Sequence, residues 1–159
     1  MKTLIAYASK SGTARKCALA LAQKIEDATL VDLQKEKPNP APYEQVIIGG
    51  GVRMGALHLD ARQYLDGCKE LLLQRRLGVF LCAGFDEKAE ALFENNVDPE
   101  LRAHALQCVN FGGEVDPKRL RGLERLIVRM VMRPGGASAA LPRVFPERIE
   151  AFAKLFAQQ

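Results

Sequence analysis

The sequence is poor in the residues that build most metal and redox centres. Its 159 residues include no tryptophan, two histidines and four cysteines. No Cys-x-x-Cys pair occurs, which argues against a structural zinc site and against a redox dithiol. We therefore expect buried, reduced thiols. The four lie far apart among apolar residues: Cys17, Cys68, Cys82 and Cys108.

Two common nucleotide-binding patterns are also missing. Neither Gly-x-x-x-x-Gly-Lys-Ser/Thr nor Gly-x-Gly-x-x-Gly occurs near the N-terminus, which argues against a Walker-type loop and a dinucleotide fold. No apolar run is long enough to cross a bilayer, and Met1 is not followed by a signal-peptide pattern. We therefore expect a cytoplasmic protein.

The composition is that of a globular protein. Hydrophobic residues make up 48% and charged residues 26% of the chain, which predicts one folded domain over residues 1–159. The net charge of +4 favours an anionic ligand, nucleic acid or membrane surface without distinguishing among them.

Short apolar runs alternate with helical patterns along the chain. This alternation predicts an α/β fold, a doubly wound five-stranded parallel sheet with helices on both faces. Helices are expected from residue 14, over 61–76, from 86, after Asp98-Pro99, over 123–133 and from 147. The predicted strands are residues 4–8, 28–33, 45–51, 77–83 and 107–112.

The first strand leads into a polar loop and then a helix. Ser9, Ser11 and Thr13 offer hydroxyl donors, and Gly12 allows the backbone to approach a ligand closely. The helix start adds free N–H groups and a positive dipole end, so the segment predicts a phosphate site. The alternative is that Ser11 or Thr13 only caps the helix.

Glycines and small residues follow two further strands, near residues 50–58 and from residue 84. Doubly wound sheets bind ligands at the carboxyl ends of their strands. The agreement of three such loops therefore strengthens the phosphate-ligand prediction.

Three segments resemble the flavodoxin family, in the branch that includes menaquinone-dependent protoporphyrinogen dehydrogenase. YASKSGTA is similar to the flavodoxin phosphate loop, with Ala14 in place of the final threonine. Residues 48–58, IGGGVRMGALH, are similar to the glycine-rich ring loop of that branch, and FGGEVDPKRLRGLERLIVRMVMR resembles it later in the chain.

The resemblance implies FMN as cofactor and assigns three sets of residues to it. The phosphate would lie on Ser9, Lys10, Ser11, Gly12, Thr13 and Ala14. The isoalloxazine ring would lie between Gly50, Gly51, Val52, Arg53, Met54, Gly55 and Leu57 on one side and Ala83, Gly84, Phe85 and Asp86 on the other. His58 is expected to act as a structural hydrogen-bonding residue and His104 to lie on the surface.

The implied function is electron transfer, as an FMN protein or an oxidoreductase component, with a redox partner protein or a quinone. Two alternatives stay open: a protoporphyrinogen dehydrogenase-like flavoenzyme, and a non-enzymatic module that has lost FMN. The second is motivated by the shortage of aromatic residues to stack on a flavin. Arg125, Arg129 and Arg133 form a basic stripe that suits a membrane surface or a protein. Few aromatics accompany it, so we expect no nucleic-acid binding.

Overall fold

The computed structural model describes residues 1–113 and 143–157. Within them the chain forms the predicted α/β sheet. Its parallel strands are β1 (Thr3–Ala8), β2 (Ala28–Asp32), β3 (Gln45–Arg53), β5 (Arg76–Cys82) and β6 (Gln107–Asn110), with a short strand β4 (Ala56–Leu57) antiparallel to the end of β3. The predicted helix over residues 123–133, with its arginine stripe, lies outside the described residues.

Helices cover both faces of the sheet, as predicted, because the central strands are apolar on both sides. The helices are α1 (Thr13–Lys24), α2 (Leu59–Gly67), α3 (Lys69–Leu72), α4 (Ala89–Asn96), α5 (Pro99–His104) and α6 (Pro146–Ala157), with a 3-10 turn at Asp86–Lys88. One core contains Ile5, Ile47 and Phe80 beneath α1 and α6. The other contains Leu4, Ile48 and Leu81 beneath α2, α4 and α5.

Two predicted elements are different in the structure. The helix expected over residues 61–76 is two short helices, α2 and α3, which are separated at Cys68. Strand β3 continues past residue 51 to Arg53 and turns back into β4, where a loop was expected. Both differences come from local backbone geometry that the apolar pattern does not encode.

The strand order β2-β1-β3-β5-β6 fixes where a ligand crevice can form. The chain leaves β1 towards β2 and then crosses back to β3, so the loops that follow β1 and β3 diverge. A ligand crevice is therefore expected between them, at the carboxyl ends of the strands. No helix in the described ranges 1–113 and 143–157 is long and apolar enough to cross a membrane.

Candidate functional site

The first loop, residues 9–12, is shaped by Gly12. Gly12 is the N-cap of α1, with φ of +95°, a conformation that glycine adopts without strain. The Ser9 Oγ accepts a hydrogen bond from the Gly12 N–H at 2.9 Å. The alternative, in which Ser11 or Thr13 only caps the helix, is wrong, because Gly12 takes the N-cap position and Thr13 is already helical.

The start of α1 is suited to an anion. No side chain of the described residues caps it, and its first turn contains no acidic residue. The Thr13 hydroxyl lies 3.5 Å from the Ser11 hydroxyl, and Lys10 and Arg15, adjacent to this segment in sequence, are exposed. Unpaired first-turn N–H groups, the helix dipole and nearby cations all favour a phosphate there.

The second part of the site is the hairpin formed by the end of β3 and β4. Val52 pairs with Leu57 and Arg53 with Ala56, which leaves a two-residue turn at Met54 and Gly55. Both turn residues have positive φ, 53° and 79°, as a type I′ turn requires. Met54 is 66% exposed. A non-glycine residue in this conformation is strained and is often found at functional sites.

A buried asparagine holds this hairpin in place. The Asn96 Oδ1 accepts a hydrogen bond from the Leu57 N–H at 3.0 Å. Its Nδ2 donates to the carbonyls of Gly55 and Leu92, each at 2.9 Å. Asn96 is 5% exposed, so a single side chain fastens the turn to α4 through a fully satisfied amide.

A second asparagine organises the third loop, residues 83–86. The Asn110 Oδ1 accepts hydrogen bonds from the N–H groups of Ala83 and Gly112, at 2.9 and 3.0 Å. Its Nδ2 donates to the Ala83 carbonyl at 3.1 Å and to the Asp86 carboxylate at 3.2 Å. This loop, too, is therefore positioned by a buried amide.

Asp86 is tied to the C-terminal helix. Both of its carboxylate oxygens accept hydrogen bonds from Arg148, at 2.6 and 2.8 Å. This pair, together with Asn110, holds the pKa of Asp86 below its usual range and raises the pKa of Arg148. The Asp86 carboxylate thus holds the third loop in place instead of binding a ligand.

The strand between these loops changes from packed to open at Gly51. A Cβ on Gly49 would lie 2.2 Å from the Phe80 ring, and one on Gly50 would lie 2.9 Å from Leu57. A Cβ on Gly51 would meet no atom of the described residues within 4 Å. Among residues 1–113 and 143–157, no side chain therefore packs against this position at the end of β3.

The structure brings most predicted site residues to one end of the sheet, on the three loops. Leu57 differs: its side chain is 3% exposed and packs in the core, so it supports the hairpin rather than lining the crevice. Arg53 is exposed at the hairpin and has interactions of its own. Phe85 is half-buried, with the Lys88 ammonium 5.8 Å from its ring.

The histidines have the structural roles predicted for them. His58 caps α2, and its Nδ1 accepts a hydrogen bond from the Asp60 N–H at 3.2 Å. His104 lies at the surface, with Nε2 2.6 Å from the Arg75 carbonyl oxygen.

Sequence reasoning missed Asn96, Asn110 and Arg148. A signal for Asn96 was present: it follows Leu92 and Phe93 at helical spacing, which places an amide on the buried face of α4. Burial of an amide demands hydrogen-bond partners, and here the hairpin supplies them. Nothing comparable marks Arg148, whose partner lies 62 residues away.

Comparisons with known proteins agree with this geometry. The family described as Flavodoxin domain matches residues 4–140. A flavodoxin from the domain Archaea is similar over 99% of this chain and 97% of its own, with 14% identity and a TM-score of 0.60. Oxidised flavodoxin 1 of Bacillus cereus is similar over 100% and 99%, with 14% identity and a TM-score of 0.58.

A third similar structure contains a cofactor. It is a flavoprotein of Lactobacillus acidophilus in complex with FMN, similar over 69% of this chain and 92% of its own, with 18% identity and a TM-score of 0.55. At these identities the structural likeness concerns the fold. No curated protein matches the chain by sequence.

Proposed function

Because this chain belongs to the flavodoxin family, we propose that it binds FMN in the crevice between the first loop, the hairpin and the third loop, and that it transfers electrons. The observation that carries this proposal combines two neighbouring features. No described side chain caps the start of α1, whose first turn has no acidic residue, and no described side chain packs against Gly51 at the end of β3. A phosphate and a planar ring need these two features side by side.

The first loop is the proposed phosphate site. N–H groups of the first helical turn point out of the helix end, and hydroxyls of Ser9, Ser11 and Thr13 lie around them. Lys10 and Arg15 add positive charge at the rim. Hydrogen bonds to a doubly charged phosphate are charge-assisted and stronger than neutral ones.

The hairpin and the third loop are the proposed ring site. Their backbones are fixed by Asn96 and Asn110 before any ligand arrives, which lowers the entropic cost of binding. The exposed Met54 and the half-buried Phe85 offer apolar surface to a ring. FMN, when bound, supplies the redox chemistry; the chain's residues bind it, orient it and set its surroundings.

Titration of the purified apo-protein with FMN tests this proposal. We expect flavin fluorescence to be quenched at a one-to-one ratio, and absorbance bands near about 375 and 450 nm to remain after desalting. The bands should bleach on anaerobic reduction and return with an added electron acceptor. A protein that takes up no FMN would contradict the proposal and favour the module that has lost its cofactor.

The protoporphyrinogen dehydrogenase-like reaction is the second candidate. It is favoured by the segment of residues 48–58, whose similarity to that branch now coincides with an exposed hairpin tip at the crevice. The electron acceptor would then be a quinone rather than a redox protein, and Arg125, Arg129 and Arg133 would supply a peripheral membrane contact. An anaerobic assay with protoporphyrinogen and a quinone tests it, and absence of flavin-dependent turnover would reject it.

A further inference from the structure

Two cysteines that are 65 residues apart in sequence meet in the core below the crevice. The Sγ atoms of Cys17 and Cys82 are 3.7 Å apart. Cys17 lies one helical turn after Thr13 on α1, and Cys82 is the last residue of β5, directly before the third loop. Cys17 therefore lies on the helix that follows the first loop, and Cys82 adjoins the third loop.

We propose that Cys17 and Cys82 form a dithiol at the floor of the crevice, which hydrogen peroxide oxidises to a disulfide. The sequence argued against a dithiol because no Cys-x-x-Cys pair occurs, and that argument considers only neighbours along the chain. The fold supplies the proximity instead.

The sulfur separation is short enough for the proposed bond to need only a small movement. A disulfide requires sulfur atoms about 2.05 Å apart, so the two must approach each other by roughly 1.6 Å. Small rotations of both side chains can supply this movement, because neighbouring positions are small: Ala14 and Ala18 flank Cys17 on its helix face, and Gly51 pairs with Cys82 across the sheet.

The same arrangement gives a small oxidant a route. Register partners in a parallel sheet point to the same face, so Cys82 lies beside Gly51, against which no described side chain packs. Cys82 is 6% exposed and Cys17 is 1% exposed. Hydrogen peroxide entering the crevice thus reaches Cys82 first, and FMN bound there would cover it, a step that rests on the proposed function.

The reaction balances with one peroxide. The Cys82 thiolate attacks peroxide, the O–O bond breaks, and sulfenic acid and hydroxide form. The Cys17 sulfur then attacks the sulfenic sulfur, the S–O bond breaks and water leaves. Two thiols and one peroxide give one disulfide and two waters, and both electrons pass to the peroxide oxygens.

The rate should rise with pH. The hydrogen bond with Cys17 and burial together raise the pKa of Cys82 well above its usual range. Because the thiolate is the reacting form, oxidation should be slow at neutral pH and faster in alkaline buffer. The centre would therefore respond to sustained rather than brief exposure to peroxide.

Intact-mass analysis of peroxide-treated apo-protein under non-reducing conditions tests the proposal. We expect a loss of about 2 Da, reversed by a reducing agent, and a Cys17–Cys82 peptide in the digest. The cross-link closes a 65-residue loop and should raise the Tm by roughly 5–15 °C. Saturating FMN should slow its formation about tenfold by shielding Cys82.

Matched variants separate this pair from the other thiols. Cys17→Ala and Cys82→Ala should each abolish the cross-link, whereas Cys68→Ser and Cys108→Ser should retain it. The wild-type digest alone decides the matter if a core variant fails to fold.

Oxygen addition without a cross-link, or a cross-link between other cysteines, would overturn the dithiol. A cross-link that FMN does not slow, in protein shown to bind FMN, would overturn its position at the crevice floor. A protein that binds no FMN would refute the proposed function, yet its apo form would still test the dithiol.

Discussion

Replacing Asn96 by alanine should both destabilise the protein and weaken FMN binding. The change removes three hydrogen bonds, to Leu57, Gly55 and Leu92. The Leu57 N–H is left buried without its acceptor, which costs about 1–3 kcal/mol. With the lost bonds to Gly55 and Leu92, we expect unfolding free energy to fall by about 2–3 kcal/mol.

Binding should suffer because the hairpin loses its attachment to α4. The turn at Met54 and Gly55 would then have to be ordered by the ligand, and we expect FMN affinity to fall about tenfold. Urea unfolding followed by circular dichroism measures the first effect, and FMN fluorescence titration measures the second.

Asn95→Ala provides the matched control. Asn95 is the preceding residue on the same helix, and it is exposed, so its removal should change stability by no more than about 0.5 kcal/mol. If Asn96→Ala matched Asn95→Ala within that margin, the buried amide would not be holding the hairpin. Reduced stability with undiminished FMN affinity would show that the hairpin does not contribute to the ring site.

Three further substitutions test other parts of the site. Gly51→Ala should leave the Tm of the apo-protein nearly unchanged, because a Cβ there meets no atom of the described residues within 4 Å. It should weaken FMN binding by placing a methyl group in the proposed ring site, and normal binding would show that the flavin lies elsewhere. Met54→Asn should stabilise the apo-protein by about 0.5–1 kcal/mol, because asparagine tolerates the positive φ of 53° better than methionine. Met54→Leu should not increase the stability, and urea unfolding measures both variants. Arg148→Met should lower the free energy of unfolding at pH 7 by about 1 kcal/mol, a small value because the ion pair with Asp86 is partly exposed. Lys154→Met, on the same helix, should leave it unchanged. Because the folded-state pKa of Asp86 is lowered, the ion pair stabilises the folded protein above the ordinary aspartate range, and this stabilisation is lost as pH falls below about 4. A difference in unfolding free energy between wild type and Arg148→Met that did not change with pH would contradict this prediction.

The sheet could be predicted from sequence because its signals are local and redundant. The buried strands are apolar runs bounded by polar or proline-rich segments, and Asp98 with Pro99 marks the start of α5 by capping chemistry alone. The alternation of strands and helices predicted a parallel sheet. The strand order was not predicted and is known from the structure alone.

The hairpin and the hydrogen bonds of Asn96 and Asn110 could not be predicted in the same way. A two-residue type I′ turn is usually signalled by Asn-Gly, and Met54-Gly55 carries only half of that signal. The partners of Asn96 and Asn110 are mostly backbone groups of distant loops, and the partner of Cys17 is 65 residues away. Such contacts depend on the completed fold, so no pattern along the chain reports them.

Comparing FMN with riboflavin tests the central claim most directly. The two ligands share the ring and differ in the phosphate, so the ratio of their dissociation constants isolates what the first loop and the start of α1 contribute. Charge-assisted hydrogen bonds to the phosphate should make FMN bind at least about 100-fold more tightly than riboflavin at moderate salt. Equal affinity for the two ligands would contradict the account.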